Sequence, residues 1–276
     1  MKSENEMSFL DHLEELRWHV VRAFAAIFIF MILAFIYAPW IFDNIVFAPA
    51  SVDFPTFIYL CRFGEWIGQP ERFCVDKIPF LVQSRFMTGQ FAMHLTASFV
   101  IGLVVAFPYV FWEIWRFIRP GLYTTEKKSS RGAVIAVSFL FLIGVLFGYF
   151  IMSPLAVWFL ANYSISDIIV NEFDITSYVS TIVMLILGSG LLFQLPVVVY
   201  FLTKVGLFTP SFMRKNRKYA VIIILVVGAI ITPPDPVSQS LIAFPLYLLY
   251  EVSIFISAYV VRQQRKEDEA SALNTN

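Results

Sequence analysis

The chain has 276 residues, of which 59% are apolar and only 14% are charged, and its basic and acidic residues balance to a net charge of zero. This composition excludes an ordinary soluble domain, which needs a larger polar surface, and the neutral balance gives no indication of a nucleic-acid partner. The two cysteines lack C-x-x-C spacing and the three histidines are scattered, so we predict no metal site and no cofactor.

Six apolar segments come near the length of about 20 residues that a helix needs to cross a bilayer. We therefore predict an all-α polytopic membrane protein with six transmembrane helices. The predicted spans are residues 20–42, 89–112, 132–153, 177–203, 218–232 and 238–261. The fifth span is short and, at about 1.5 Å per residue, barely crosses the hydrocarbon.

Prolines recur inside or at the ends of these spans, at Pro39, Pro108, Pro154, Pro196 and Pro245. Each proline removes a backbone donor and bends or breaks its helix. The freed carbonyls need partners inside a membrane, so such helices pack against protein or line a cavity. We therefore expect several proline-kinked helices in a bent, concave bundle.

The lysines and arginines are distributed unequally between the two sides of the predicted membrane domain. The segments before span 1, between spans 2 and 3, between spans 4 and 5 and after span 6 together carry 16 of the 20 basic residues. Because basic residues favour the cytoplasmic side, this pattern predicts that both termini are cytoplasmic. An even number of spans is required for that topology, and six is even.

Three segments lie outside the spans. Residues 1–19 are predicted to form a cytoplasmic amphipathic helix that begins near Ser8, although the pattern alone favours a plain amphipathic lead-in to the first span. Residues 43–88 should form an ordered outer cap, because loops of this length are seldom structureless. Its Cys61 and Cys74 face an oxidising compartment and either form a disulfide or stay free. Residues 262–276 are predicted to be a disordered cytoplasmic tail.

Polar residues at membrane depth each need a reason, because burying charge in lipid is costly. We expect Glu113 to snorkel at the inner interface and Asp235 to cap the last span from the outer turn. Gln194 either faces a water-filled concavity or bonds a neighbouring helix. Glu251 either pairs within the bundle or meets another subunit. His12, His19 and His94 are interpreted as structural.

The sequence shows no arrangement typical of catalysis, such as H-E-x-x-H, a Gly-rich phosphate loop or a Ser/His/Asp order. We therefore predict that the protein is not an enzyme. An intramembrane hydrolase would need paired catalytic groups. Two further alternatives stay open, a secondary transporter of a small solute and a non-catalytic membrane scaffold. The transporter would require facing charges near the midplane, and no cationic partner for Glu251 is evident from the sequence.

Four motifs occur in order along the chain. They are HLEELR at 12–17, the WRFIRPGLYTTEKK stretch at 115–128, FQLP at 193–196 and TPPDPVSQ at 232–239. Together they resemble the TatC family, the receptor subunit of the twin-arginine protein translocase. The resemblance covers nearly the whole chain, from about residue 8 to residue 261.

The resemblance implies a core subunit of the bacterial inner membrane that binds twin-arginine signal peptides. It implies export of folded proteins driven by the proton-motive force, with single-span TatA and TatB subunits as partners in a larger complex, in which we also expect several copies of this chain. The signal-peptide-binding positions that it implies are Glu15, Arg17, Pro120, Leu122, Tyr123 and Glu126. It also matches Gln194, Asp235 and Glu251 to polar positions of the membrane domain.

Two consequences follow from these positions. Many relatives carry Glu where this chain has Gln194, and because an amide does not titrate we do not expect a proton-carrying role there. Glu15 and Glu126 could each accept two parallel hydrogen bonds from one guanidinium of an arginine pair. An exposed ion pair contributes only about 0–1 kcal/mol, so we expect aromatic side chains to shield the pair, namely Trp18, Phe117 and Tyr123.

Overall fold

The computed structural model describes residues 9–118, 130–166, 168–231 and 236–274. The helices are α1 (Phe9–Ile36), α2 (Ala38–Ile41), α3 (Pro55–Ile67), α4 (Pro70–Phe73), α5 (Gly89–Ile118), α6 (Ser130–Phe147), α7 (Ser153–Asn162), α8 (Ile175–Leu192), α9 (Leu195–Lys204), α10 (Pro210–Lys215), α11 (Arg217–Ile231) and α12 (Pro236–Asn274). Short π-helical stretches at Phe42–Val46 and Gly148–Met152 and a 3₁₀ turn at Ala48–Ala50 join some of them. Two three-residue strands, β1 (Leu81–Gln83) and β2 (Glu172–Asp174), complete the described chain.

Six helical segments are long and apolar enough to cross a membrane, which confirms the predicted class of polytopic helical membrane protein. They are Glu14–Ile36, Ala38–Ile67, Gly89–Phe117, Val134–Asn162, Ile175–Lys204 and Gln239–Lys266. Large apolar side chains such as Phe24, Phe28 and Ile32 stay exposed along α1, as expected of a helix that faces lipid.

Five of these segments overlap predicted spans, and two assignments differ. The segment Ala38–Ile67 lies largely in the predicted cap, and non-helical residues at 51–54 divide it into two pieces. The predicted span 218–232 corresponds to α11, whose 15 residues reach only about 22 Å. Length and composition therefore identify Ala38–Ile67 as a candidate span although its helix is interrupted. They do not identify α11, because it is too short.

Breaks in the helices occur beside some of the prolines but not all. α1 ends at Ile36 before the turn at Tyr37 that precedes Pro39, and a break at Phe193 and Gln194 separates α8 from α9. A π-helical stretch precedes Pro154, whereas α5 and α12 continue through Pro108 and Pro245. No break separates the predicted amphipathic segment 1–19 from the first span within the described residues, since α1 is one helix from Phe9 to Ile36.

The helices α1 and α5 pack closely at a glycine. A Cβ atom at Gly102 of α5 would lie 2.7 Å from the backbone nitrogen of Met31 and 2.8 Å from the carbonyl oxygen of Ile27, both on α1. Small residues at such interfaces let two helix backbones approach each other in a membrane. Gly144 of α6 has the same relation to the carbonyl oxygen of Ser189 on α8, at 2.6 Å.

The outer cap is ordered and tied to the rest of the chain. A disulfide joins Cys61 of α3 to Cys74, just after α4. The strands β1 and β2 pair in parallel, with Leu81 opposite Glu172, a small sheet that the all-α prediction did not include. Arg85 forms an ion pair of 3.4 Å with Glu172, so charge reinforces the junction.

Asp174 fixes the end of that sheet to α8. Its carboxylate accepts hydrogen bonds of 2.8 Å from the backbone amides of Arg85 and Thr176 and also bonds the Thr176 hydroxyl. The residue thus caps the first turn of α8. The Thr176 hydroxyl and these two amides hold the pKa of the Asp174 carboxyl below its ordinary value.

The lowered pKa of Asp174 predicts how the stability of the folded protein depends on pH. A depressed pKa in the folded state adds stability that is present above the unfolded pKa and is lost as the pH falls through the folded pKa. Asp174→Asn should therefore lower the midpoint of thermal unfolding at neutral pH, and the difference from wild type should vanish in acid. The control is Asp53→Asn, which changes an aspartate within the outer cap, residues 43–88. A difference that stays constant down to the most acidic pH would contradict this assignment.

The carboxyl-terminal segment is helical where we expected disorder. The helix α12 runs without interruption from Pro236 to Asn274, so the predicted disordered tail 262–276 is wrong as far as Asn274. Gln264 donates a 3.0 Å hydrogen bond to the carbonyl oxygen of Lys204 on α9, and Arg265 pairs with Glu269 one turn later at 2.9 Å. These contacts and the strong helix formers of the segment extend the last span.

Candidate functional site

Polar residues on two facing helices form a cluster at the interface of α1 and α5. On α1, Glu15, His19 and Arg22 follow one another at spacings of four and three, which places them on one face. On α5, Tyr109 and Glu113 are four residues apart and share a face in the same way. Tight packing of the two helices brings the two faces together, so groups 94 residues apart in sequence meet.

The centre of the cluster is a buried pair, His19 and Glu113. Their exposed fractions are 4% and 1%, and the Nδ1–H of His19 donates to Oε2 of Glu113. The hydroxyl of Tyr109 donates to the other carboxylate oxygen at 2.9 Å, and Nε of Arg22 lies 4.0 Å from Oε2. A carboxylate stays ionised in such a place only when hydrogen bonds and opposite charge compensate its burial, and here both do.

Glu15 lies at the rim of the same cluster. Its Oε1 is 3.9 Å from Nε2 of His19, and its side chain is 41% exposed. The imidazole of His19 therefore stands between two carboxylates, one buried and one open to ligands. The ring of Phe117 meets the His19 ring edge-on, with 6.2 Å between ring centres. Glu15 is thus joined through His19 to the end of α5.

The other predicted residues of the amino-terminal motif point elsewhere. Arg17 forms an exposed ion pair of 3.5 Å with Glu14, and its guanidinium lies 5.6 Å from the centre of the Trp18 ring. Trp18 is about half exposed. Of the predicted shielding residues, Phe117 is therefore next to the cluster, whereas Trp18 packs with Arg17.

The remaining predicted binding positions, Pro120, Leu122, Tyr123 and Glu126, lie outside the described residues, as does Asp235. The described part of α5 ends at Ile118, about one and a half turns past Glu113. The structure therefore places Glu15, through His19, near the end of the described part of α5.

Gln194 lies in the break between α8 and α9. Its Nε2 donates to the carbonyl oxygen of Val137 on α6 at 3.2 Å, which is the helix–helix hydrogen bond of the two predicted alternatives. Its Oε1 and the Nε1 of Trp115 are buried without a hydrogen-bond partner among the described residues. Both side chains line a cavity of about 400 Å³ between α5, α6 and α9. This cavity offers one free donor and one free acceptor to water or to another helix.

Glu251 pairs within the bundle, one of the two alternatives that we considered. Its Oε2 accepts a 2.7 Å hydrogen bond from Nη2 of Arg217, the first residue of α11. The sequence alone did not identify this cationic partner. The partner lies 34 residues earlier in the chain, and only the packing of α11 on α12 reveals it.

Two members of the central cluster were misinterpreted from sequence. Glu113 was expected to snorkel at the interface, but at 1% exposure it lies inside the protein. His19 was called structural, which describes its burial but not its two carboxylate neighbours. The four-residue spacing of Glu15 and His19, matched by that of Tyr109 and Glu113, was the available signal. Within the described residues, no group of three or more His, Cys, Asp or Glu could hold a metal ion.

Comparisons with known proteins agree with the motifs. A sequence model of the family described as Sec-independent protein translocase protein (TatC) matches residues 11–245. The TatC protein of Blattabacterium sp. subsp. Periplaneta americana (strain BPLAN) is 40% identical over 266 residues, which cover 96% of this chain and 100% of the relative. The TatCy protein of Bacillus subtilis (strain 168) is 33% identical over 268 residues, 96% of this chain and 94% of its own length.

Solved structures show the same relationship. A crystal structure of the twin arginine translocase receptor TatC superposes with a TM-score of 0.68 at 31% identity and covers 91% of this chain and 99% of that one. A second crystal structure of that receptor, in DDM, gives a TM-score of 0.69 at 32% identity, with 89% and 99% covered. The chain therefore belongs to the TatC family of Sec-independent protein translocase proteins.

Proposed function

We propose that this chain is the receptor subunit that binds twin-arginine signal peptides, with Glu15 and Glu126 as the two carboxylates that grip the arginine pair. The position of Glu15 carries the proposal. Through His19 it is linked to Glu113, and Glu113 lies about 7.5 Å along the helix axis from Ile118, the last described residue of α5. We propose that residues 119–126 return Glu126 to this end of α5, beside Glu15.

The reach of the loop supports a shared site. Glu126 follows Ile118 by eight residues, which can span at most about 28 Å when fully extended. The Cα atom of Glu126 must therefore lie within about 28 Å of Ile118, and Glu15 is near that same end of α5. This reach allows one short peptide to contact both groups.

The chemistry of the two groups fits arginine better than lysine. A planar guanidinium donates two parallel hydrogen bonds to one carboxylate, whereas an ammonium acts as a point charge. Because fully exposed pairs contribute only about 0–1 kcal/mol, specificity requires partial shielding. Phe117, whose ring contacts His19, supplies one apolar wall, and we propose Trp18 and Tyr123 as others.

The family assignment favours a translocase over the solute-transporter and scaffold alternatives. We propose that the chain acts without catalysis of its own, in the bacterial inner membrane with both termini cytoplasmic, as its basic residues predict. It would support export of folded proteins driven by the proton-motive force, with single-span TatA and TatB subunits.

Charge removal at the two carboxylates tests the proposal. Glu15→Gln and Glu126→Gln should each weaken the binding of a twin-arginine peptide by about tenfold or more, the size of a hydrogen bond to a charged group. Glu14→Gln, the adjacent change on the same helix, should alter binding by less than about twofold, because exposed pairs contribute little. Binding is measured by fluorescence anisotropy with the full chain in detergent. Equal effects of all three changes would overturn the proposal.

The ligand offers a separate test of geometry. Replacing Arg-Arg by Lys-Lys in the peptide keeps the charge but removes the parallel hydrogen bonds. Wild-type protein should therefore bind the Lys-Lys peptide about tenfold less tightly than the Arg-Arg peptide. A peptide with both arginines replaced by glutamine gives the baseline. If Lys-Lys and Arg-Arg peptides bind equally well, recognition rests on charge alone and the bidentate geometry is wrong.

A further inference from the structure

We propose that His19 is a positioning residue for Glu15, holding its carboxylate where the arginine pair of a signal peptide binds. This inference rests on the proposed function of Glu15 and extends it to a group that the ligand does not touch. His19 is only 4% exposed, so it acts through its neighbour.

The ring of His19 is fixed before it can position anything. Its Nδ1–H donates to Glu113, and Glu113 is itself anchored by the 2.9 Å hydrogen bond from Tyr109. The edge of Phe117 restricts the ring from α5 as well. With one nitrogen committed to the buried carboxylate, the geometry leaves the other nitrogen, Nε2, directed at Glu15 at 3.9 Å.

Charged and polar groups surround the ring that holds Glu15. Around the pair of His19 and Glu113 lie Glu15 and Arg22 of α1 and Tyr109 of α5. With Nδ1 committed to Glu113, the edge of the ring that carries Nε2 faces the Glu15 carboxylate. The ring thus links Glu15 to the buried carboxylate, and this contact orders an otherwise flexible surface side chain.

A purely structural role is the competing explanation, in which His19 only fills the interface of α1 and α5. The two roles separate in His19→Asn, because the asparagine amide nitrogen can occupy the place of Nδ1 and donate to Glu113 but leaves nothing in the place of Nε2. The helix pair then keeps its buried hydrogen bond while Glu15 loses its neighbour.

The experiment measures binding of an Arg-Arg peptide to the full chain in detergent, as a double-mutant cycle. His19→Asn should weaken binding by about three- to tenfold, because the peptide must then order a Glu15 side chain that is no longer held in place. That loss should disappear in the Glu15→Gln background and persist in the Glu126→Gln background, because only the first background removes the group that His19 positions. The matched control, His94→Asn, changes a histidine at the other end of α5 and should leave binding within twofold.

Glu113→Gln is a second variant that keeps the test decisive if His19→Asn folds poorly. Its amide oxygen still accepts from His19, but the charged carboxylate that anchors the ring is gone, so binding should weaken with the same dependence on Glu15. The positioning role would be overturned if these variants weakened peptide binding equally in the Glu15→Gln background. It would also be overturned if neither variant weakened binding when introduced alone. If instead Glu15→Gln alone leaves binding unchanged, the proposed receptor site itself fails.

Discussion

Replacing His19 with leucine is expected to lower the free energy of unfolding by about 3–5 kcal/mol, because the change leaves a buried charge without its partner. The carboxylate of Glu113 is 1% exposed and would keep only the Tyr109 hydroxyl and the guanidinium of Arg22 at 4.0 Å. Removing one member of a buried pair costs more than the pair itself contributes. Unfolding of the purified protein in detergent, followed by tryptophan fluorescence, measures the loss.

Two further variants identify the cause of that loss. His94→Leu removes a histidine whose Nε2–H donates a 3.0 Å hydrogen bond to the backbone carbonyl oxygen of Phe35, so it should cost only about 1 kcal/mol. Adding Glu113→Leu to His19→Leu should restore most of the stability, because an apolar pair can replace a buried ionic one. A double variant as unstable as His19→Leu alone would show that lost packing, and not an unpaired carboxylate, explains the effect.

Replacing Gly102 with valine should be the second most damaging change, at about 3 kcal/mol or more. A Cβ atom there would meet backbone atoms of Met31 and Ile27 at 2.7 and 2.8 Å. Backbone atoms of a helix cannot yield singly, so α1 must move away from α5, and overpacking of this kind destabilises. The separation would also part His19 from Glu113, so loss of Arg-Arg peptide binding should accompany the loss of stability.

Gly132→Ala on α6 is the matched control. A Cβ atom at Gly132 meets nothing within 4 Å, and alanine is favoured over glycine inside a helix by roughly 0.5–1 kcal/mol. This variant should therefore be neutral or slightly stabilised in the same unfolding measurement. Comparable destabilisation by Gly102→Val and Gly132→Ala would contradict a role for close approach of α1 and α5.

Apolar length carried most of the fold prediction, because the hydrocarbon thickness imposes a minimum span on every transmembrane helix. It did not settle the segments near that limit. The 15 residues of α11 fall short of it, and Ala38–Ile67 reaches it although residues 51–54 interrupt the helix. The sequence also did not show that α1 is continuous, since no residue of α1 marks whether the amphipathic segment and the span are joined or separate.

The candidate site was only half predictable for a related reason. Glu15 belongs to a local motif, so a sequence comparison finds it. The pairing of His19 with Glu113 depends on the register between two helices, and that register is set by a contact as small as the missing side chain of Gly102. The pairing of Arg217 with Glu251 depends on packing in the same way. The pairing of polar groups on different helices is therefore what the structure adds to the sequence.

The unbroken course of α1 has a mechanical consequence. Glu15 and Phe35 lie on one continuous helix, about 30 Å apart along its axis, and the carbonyl oxygen of Phe35 is hydrogen-bonded to His94. Because no hinge separates these two residues, a rotation of the helix at Glu15 is transmitted to Phe35. Binding of a signal peptide at Glu15, as proposed above, would in this way rotate the opposite end of α1 as well.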